Sequence, residues 1–414
     1  MSPDTAASYS LADFYYSDDP DPLSPSAEFQ EWCAEADWAM SLYEQSLAAG
    51  PKPKTEIASQ GENQSVINLS SYNYLGLGSH PKTIAAAKSA LDVFGTGSCG
   101  SPVLSGMTVL HRQLEQSLSS FLGYPQTMLF NSGFGGAIGI LVGLMRRGDV
   151  VVLDEKSHIC WVDGAKAATA RTHYFKHNDA DSLDAALAKY NDKRRVVIVE
   201  GIYSMDGDVA ALENLLPVAQ KHGVGVIIDE AHSILTIGEN GRGTAEHLKI
   251  EDGIILKYGT FSKAFAGVGG FASGPTATLQ YLRFYANSYS FSCSLPPASV
   301  SALIAALAVS QEEPERRQRL QANALYFREQ LNALGFNTGL SCSQVVPIII
   351  GSNRQRLYEA GNELRARGLF LAPVDYPSVP EHELRFRASI TSEHDRSTLD
   401  ESLNILCDIL KPDR

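Results

Sequence analysis

The chain has no lysine or arginine before Lys52, while aspartate stands at positions 4, 13, 18, 19 and 21. Secretory and mitochondrial presequences depend on early positive charge, so neither is expected and a cytoplasmic setting is. No apolar run approaches the roughly 18 residues of a membrane span; AIGILVGLM (137–145) is among the longest. The six cysteines, at 33, 99, 160, 293, 342 and 407, form no CxxC pair and read as free thiols of a reducing compartment. There is no HExxH and no close Cys/His cluster, so no metal site is expected. A GxSxG nucleophile elbow and a GxxxxGK[ST] phosphate loop are missing as well. Basic residues are outnumbered 47 to 34, and the net charge of −13 argues against nucleic acid as a partner.

What is there is an ordinary globular composition, 44% hydrophobic and 20% charged over 414 residues, long enough for two or more domains. Residues 1–65 read as an arm, rich in Ser, Pro and Asp at first, with a helix expected over 27–48 before a Pro-Lys-Pro segment. From about 66 to 298, apolar β-branched runs (VVVLD, RRVVIVEG, VGVIIDE, GIILKYG) alternate with helical stretches such as 108–123. Nearly continuous runs of that kind suit strands buried on both faces, so the fold class is α/β with a mainly parallel wound sheet. Residues 299–414 carry a long Ala-rich helix, QVVPIIIG, a further helix and ELRFRASIT, which reads as a smaller α+β domain.

Chemistry concentrates where strands end. VGVIIDEAH puts Asp229 and His232 at the carboxyl edge of the sheet, where α/β proteins bind ligands. A carboxylate there can keep a pyridine nitrogen protonated; an ordinary polar strand end is the alternative, and Glu230 reads as structural. Lys263 sits in GTFSKAFAGVGG, among small residues that leave room for a cofactor, with Thr260 and Ser262 able to donate to a phosphate. A buried lysine gives up its proton more readily, as an amine nucleophile must. His158 in DEKSH can stack on a ring, and Ser204 in EGIYSMDGD follows another strand; the Asp206-Gly207-Asp208 segment reads as only a turn. Arg385 and Arg387 are read as facing opposite sides of one strand, with at least one able to clamp a carboxylate.

In order along 66–395 stand SSYNYLGL, SGMTVLHRQLE, FNSGFGG, DEKSH, EGIYSMDGD, IIDEAHS, GRG, GTFSKAFAGVGG, SLPP and RFRASIT. This series resembles the α-oxoamine synthases, pyridoxal-phosphate enzymes of the aminotransferase (type I) fold, and looks most like their serine palmitoyltransferase branch. The resemblance implies that Lys263 is the Schiff-base lysine and that Asp229 meets the pyridine nitrogen. It further implies that His232 nears the phenolic oxygen and His158 stacks on the ring. Ser204 would lie near the cofactor, and Gly133, Phe134, Thr260 and Ser262 near its phosphate. Arg387 would bind the amino acid's carboxylate, with Tyr72 and Asn73 also at the substrate. A homodimer with shared active sites is implied, with Ser292–Ser294 offered to the partner.

The implied reaction is a decarboxylating Claisen condensation of a small L-amino acid with an acyl thioester, carried on coenzyme A or a carrier protein. Departures at Tyr72-Asn73, Ser101-Pro102, Ile159-Cys160 and Cys293 surround the substrate and the phosphate, and they leave both substrates open. The alternatives are an 8-amino-7-oxononanoate synthase-like or 2-amino-3-ketobutyrate ligase-like activity, a non-catalytic family subunit, or another type I reaction such as transamination. Retention of Lys263, Asp229, His232 and His158 together weighs against the non-catalytic subunit.

Overall fold

A computed structural model describes residues 8–15, 21–36, 41–58 and 61–410. Packing divides the chain into two compact units, one made of Tyr72–Ser204 and Asp208–Gln318, the other of Met1–Ser71, Met205–Gly207 and Arg319–Arg414.

The first unit is built on seven strands: β1 (Gln126–Phe130), β2 (Val150–Asp154), β3 (Arg171–Phe175), β4 (Arg195–Glu200), β5 (Val226–Asp229), β6 (Ile254–Thr260) and β7 (Gly270–Gly274). Their order is β1-β7-β6-β5-β4-β2-β3. Strands β3, β2, β4, β5 and β6 run parallel to their neighbours, whereas β7 is antiparallel to both β6 and β1. The apolar runs that mark the strands lie buried along most of their length, because helices cover both faces. Helices Gly133–Leu144, Ile159–Ala167 and Thr276–Tyr285 close one core around Met128, Leu153, Trp161 and Ile227. Helices Ala180–Lys189 and Leu212–Lys221 close the other around Val152, Val197 and Ile228. Side chains at the helix starts cap exposed N–H groups: Ser132 for Gly135, His158 for Cys160 and Asp179 for Ser182. All five parallel strands therefore deliver their carboxyl ends, and the loops beyond them, to one edge.

The second unit is α+β. Strand Val345–Gly351 pairs antiparallel with Leu384–Ser389, which pairs with Pro373–Val374. A core of Phe327, Leu331, Val346, Ile348, Phe386, Leu399 and Leu406 joins that sheet to its helices. A second small sheet joins Lys54–Ile57, Gln64–Asn68 and Leu369–Phe370. The helix expected over 27–48 is shorter than its pattern suggested: it spans Ala27–Glu35, where Phe14, Phe29 and Trp32 form an aromatic cluster. Residues 37–40 lie outside those described, and 41–48 run as turns that end with Leu47 bridged to Ile57. Strand pairing takes the backbone groups that a longer helix would have used. No helix among the described residues is long and apolar enough to cross a membrane.

Glu230 accounts for part of the sequence pattern in purely structural terms. It is fully buried, accepts the Thr244 N–H at 2.9 Å and the Ser233 hydroxyl, and pairs with buried Lys257 at 3.6 Å. Lys257 also donates to the carbonyl of Arg242 at 2.7 Å. Gly243, at φ +99°, brings the backbone against the Glu230 carboxylate where a Cβ would collide with it, which explains the second glycine of GRG. Removing one member of a buried pair strands the other, so Glu230→Ala should cost about 3–5 kcal/mol in urea unfolding. A loss below about 1 kcal/mol would refute this account of Glu230.

Candidate active site

One cleft at the carboxyl edge of the parallel strands is lined by Gly133, Phe134, His158, Cys160, Glu200, Ser204, Asp229, Ala231, His232, Tyr258, Thr260 and Lys263. Four of the five parallel strands contribute through their ends or the loops just beyond. Asp229 closes β5, Glu200 closes β4, Thr260 closes β6, and His158 lies in the loop after β2. Eight residues singled out from the sequence thus meet in one place, and Ser262 adjoins them, its hydroxyl 3.2 Å from that of Thr260.

Asp229 is 4% exposed. Its two oxygens accept from the indole N–H of Trp161 at 2.8 Å and the backbone N–H of Ala231 at 2.9 Å. Burial raises its pKa; the nearby Lys263 ammonium and the two donors pull in the opposite direction. Glu200 is buried beside it and shifted the same way, well above the usual carboxylate range, by burial first and by the Asp229 charge second. Its carboxyl oxygens are met by the backbone N–H groups of His158 and, at 3.3 Å, Ser204. Burial likewise pushes up the Cys160 thiol and the Tyr258 phenol. Tyr258 donates to the carbonyl of Gly133 and stands edge-on to Trp161 at 5.1 Å. The cleft therefore concentrates acidic groups whose charged forms burial disfavours.

Lys263, half-buried, rides on a tight loop. The Phe261 N–H donates to Gly269 O at 2.9 Å, Gly267 N–H to Phe261 O at 2.8 Å and Ala266 N–H to Lys263 O at 2.8 Å. Gly269, at φ +113°, passes so close to Phe130 that a Cβ would lie 2.8 Å from its carbonyl oxygen. Opposite the loop, helix Gly133–Leu144 begins: a Cβ on Gly133 would come within 2.6 Å of the Thr260 hydroxyl. A helix N-terminus against two hydroxyls is a setting for an anion.

His232 is buried, and its Nδ1 lies 2.8 Å from the Tyr74 hydroxyl. When the phenol donates to Nδ1, the ring proton sits on Nε2. Tyr72 stands edge-on to the same imidazole at 6.2 Å, while Asn73 turns inward and accepts the Gly78 N–H at 3.2 Å. Asn73 thus shapes its own turn and is not among the residues lining the cleft. His158 caps helix Ile159–Ala167 and meets Phe134 edge-on at 6.4 Å.

Arg385 and Arg387 belong to the other unit, on strand Leu384–Ser389. The expectation that they face opposite sides is corrected: residues two apart on a strand share a face. Arg385 Nη1 donates to Met205 O at 3.0 Å, and Arg387 Nη1 lies 3.6 Å from Met205 Sδ. Arg385 is 1% exposed and already paired with Asp206 at 3.0 Å and Glu383 at 2.7 Å. The segment read as only a turn thus carries an ion-paired Asp206, and Asp208 bonds His177 at 2.6 Å. Sequence reasoning also missed Trp161, Glu200 and Tyr258; for Glu200, a carboxylate at a buried strand end was the available signal.

Residues 64–406 match the family model described as aminotransferase class I and II. The 8-amino-7-oxononanoate synthase of Symbiobacterium thermophilum is 36% identical over 344 residues, covering 83% of this chain and 88% of that protein. The serine palmitoyltransferase of Sphingobacterium spiritivorum is 35% identical over 361 residues, 87% of this chain and 90% of that one. Among solved structures, a lysine-to-alanine serine palmitoyltransferase from S. paucimobilis with a bound PLP–myriocin aldimine superposes with a TM-score of 0.88. Its identity is 31%, and the match covers 94% of this chain and 98% of that one.

The upward shift of the Cys160 thiol leaves almost no thiolate at pH 8, and burial bars access. Brief labelling of the native protein with a thiol reagent should therefore modify exposed Cys342 and spare Cys160 until unfolding. Peptide mapping reads this directly, and rapid modification of native Cys160 would contradict it.

Proposed function

We propose, for a chain that belongs to the α-oxoamine synthases within the class I and II aminotransferase family, a decarboxylating condensation of a small L-amino acid with an acyl thioester. The protein is a pyridoxal-phosphate-dependent acyltransferase of that family. Its products are an α-aminoketone, CO2 and a free thiol: a bond forms between the amino acid's Cα and the acyl carbon, while the Cα–carboxylate and C–S bonds break.

The observation that carries this reading is the pairing, in one cleft, of a buried carboxylate at Asp229 with a half-buried lysine at Lys263. The fit to the cofactor rests also on the helix start at Gly133, which lies too close to Thr260 for any side chain. Pyridoxal phosphate, when bound, supplies a conjugated electron sink for the amino acid's Cα. Asp229, held by Trp161, would keep a proton on the ring nitrogen. His158 would cover the ring, His232 would hydrogen-bond the phenolic oxygen, and Ser204 would lie beside it. Gly133, Phe134, Thr260 and Ser262 would hold the phosphate. Lys263 would anchor the cofactor through Nζ and take the Cα proton. Arg387 would bind the amino acid's carboxylate, and Tyr72 would lie at the substrate; fixing that carboxylate selects which Cα bond is aligned for cleavage.

The serine palmitoyltransferase-like reading of the substrates draws on the motif likeness and the structural match; the acyl donor is coenzyme A or a carrier protein. The protein works in the cytoplasm, with an arm (1–65), a cofactor-binding domain (66–298) and a carboxy-terminal domain (299–414). We read it as a homodimer with shared active sites, to which Ser292–Ser294 contribute. Large apolar side chains left exposed at Leu104, Val109, Phe284 and Phe291, between 72% and 85%, support that reading. Sedimentation should give twice the chain mass; a monomer at working concentration would rule the dimer out.

The reaction itself is tested with the cofactor-loaded protein. Borohydride should fix the cofactor on Lys263, Lys263→Ala should lower turnover at least a thousandfold, and one CO2 and one thiol should appear per product. Amino-group transfer without thiol release would reject condensation.

A further inference from the structure

Outside the cleft lining, one imidazole ties together two of the loops that form it. The loop after β2 begins at Asp154, whose Oδ1 accepts the Lys156 N–H at 2.9 Å and whose carbonyl accepts the Ser157 N–H at 2.9 Å; it leads to His158. The loop after β4 carries Ser204 and closes where the Tyr203 N–H donates to Asp208 O at 3.0 Å. His177, just past β3, reaches both loops. Its Nδ1 is 2.9 Å from Asp154 Oδ1 and its Nε2 is 2.6 Å from Asp208 Oδ2. Asn178, in the left-handed region at φ 56°, repeats the link. Its N–H donates to Asp154 Oδ2 at 3.0 Å, its amide donates to Val209 O at 3.1 Å, and its side-chain oxygen accepts the Ala211 N–H at 2.9 Å.

A neutral imidazole carries one N–H, and here both nitrogens face a carboxylate at hydrogen-bonding distance; the imidazolium satisfies both. Side-chain exposure is 12% for His177, 0% for Asp154 and 9% for Asp208, so little water can substitute. The other groups at the ring are Tyr203, edge-on at 4.5 Å, and the Asn178 amide nitrogen, 3.4 Å from Nε2; the Glu155 carboxylate accepts the His177 backbone N–H at 3.1 Å. Burial works against the charged ring, but the two carboxylates outweigh it and raise the pKa to about 9.

We propose that His177 is a positioning residue of the cofactor cleft, bracing through Asp154 and Asp208 the two loops that present His158 and Ser204. The inference rests on the reading of that cleft as a pyridoxal-phosphate site. His177 acts through its two carboxylate partners. With a folded pKa above the free value, the brace is complete below pH 6.5 and is lost as pH rises through about 9.

Equilibrium dialysis of the full-length protein against graded pyridoxal phosphate tests the idea. His177→Gln can serve only one carboxylate well and should weaken cofactor binding about tenfold at pH 7.5. Wild-type affinity should fall in a step between pH 8 and 10 that His177→Gln lacks. Should that variant not fold, Asp208→Asn, which keeps an acceptor but removes one charge, should weaken binding and move the step to lower pH. A folded variant with wild-type affinity and the wild-type pH profile, changed only in melting temperature, would overturn the proposal. A wild-type protein that binds no pyridoxal phosphate would overturn the cofactor reading instead.

Discussion

A carboxylate taken out of water must be compensated by its surroundings, and in this fold that requirement falls on Asp229. The neighbouring elements answer it. Helix Ile159–Ala167 brings the Trp161 N–H, the turn after β5 brings the Ala231 N–H, and the loop after β6 brings the Lys263 ammonium. Even so, burial keeps the carboxyl's pKa above its ordinary value, and Glu200 adds a second acid to the same cleft. Such a site favours an occupant that brings positive charge to Asp229, as a protonated ring nitrogen would. The constraint therefore links packing to chemistry: the same burial that makes the carboxylate costly also strengthens its hold on a cationic ligand.

Backbone geometry then fixes where the lysine can stand. Gly269 and Gly133 lie where the chain approaches Phe130 and Thr260 too closely for a Cβ. The hydrogen bonds that close the loop around Lys263 run between Phe261, Gly267 and Gly269, so the lysine's position depends on β6 and β7 as much as on its own neighbours. A helix start, a strand end and a glycine-bound loop are brought together by strand pairing, without any long excursion of the chain.

Much of this was legible in the sequence because parallel strands announce themselves as apolar runs and ligands gather at their carboxyl ends. Asp229, His158, Ser204 and Lys263 each follow such a run, and each lines the cleft. Trp161 and Tyr258 were not legible, since an indole in a helix and a phenol in a strand read as core, and core is also what they are. Their hydrogen bonds to Asp229 and Gly133 depend on contacts 68 and 125 residues away in sequence. The helix in the arm was overextended for a related reason: its pattern carried no sign that Leu47 would pair with Ile57. Arg385 and Arg387 look alike in sequence, yet only the ion pairs of Arg385 with Asp206 and Glu383 reveal that it is occupied.

The strand order also explains why the loops after β2 and β4 need side-chain ties. These strands pair directly, so their loops emerge as neighbours, but past Asp154 and Glu200 no ladder of hydrogen bonds continues. Buried polar side chains take over. Glu200 gathers the N–H groups of His158 and Ser204 from the cleft side, and His177 reaches in from β3 at the sheet's edge to Asp154 and Asp208. A buried polar network of this kind is rigid because each broken link leaves a buried group unpaired. The loops that form the cleft are thus held by the same principle as Asp229 itself: polar groups enter the interior only where partners fix their positions.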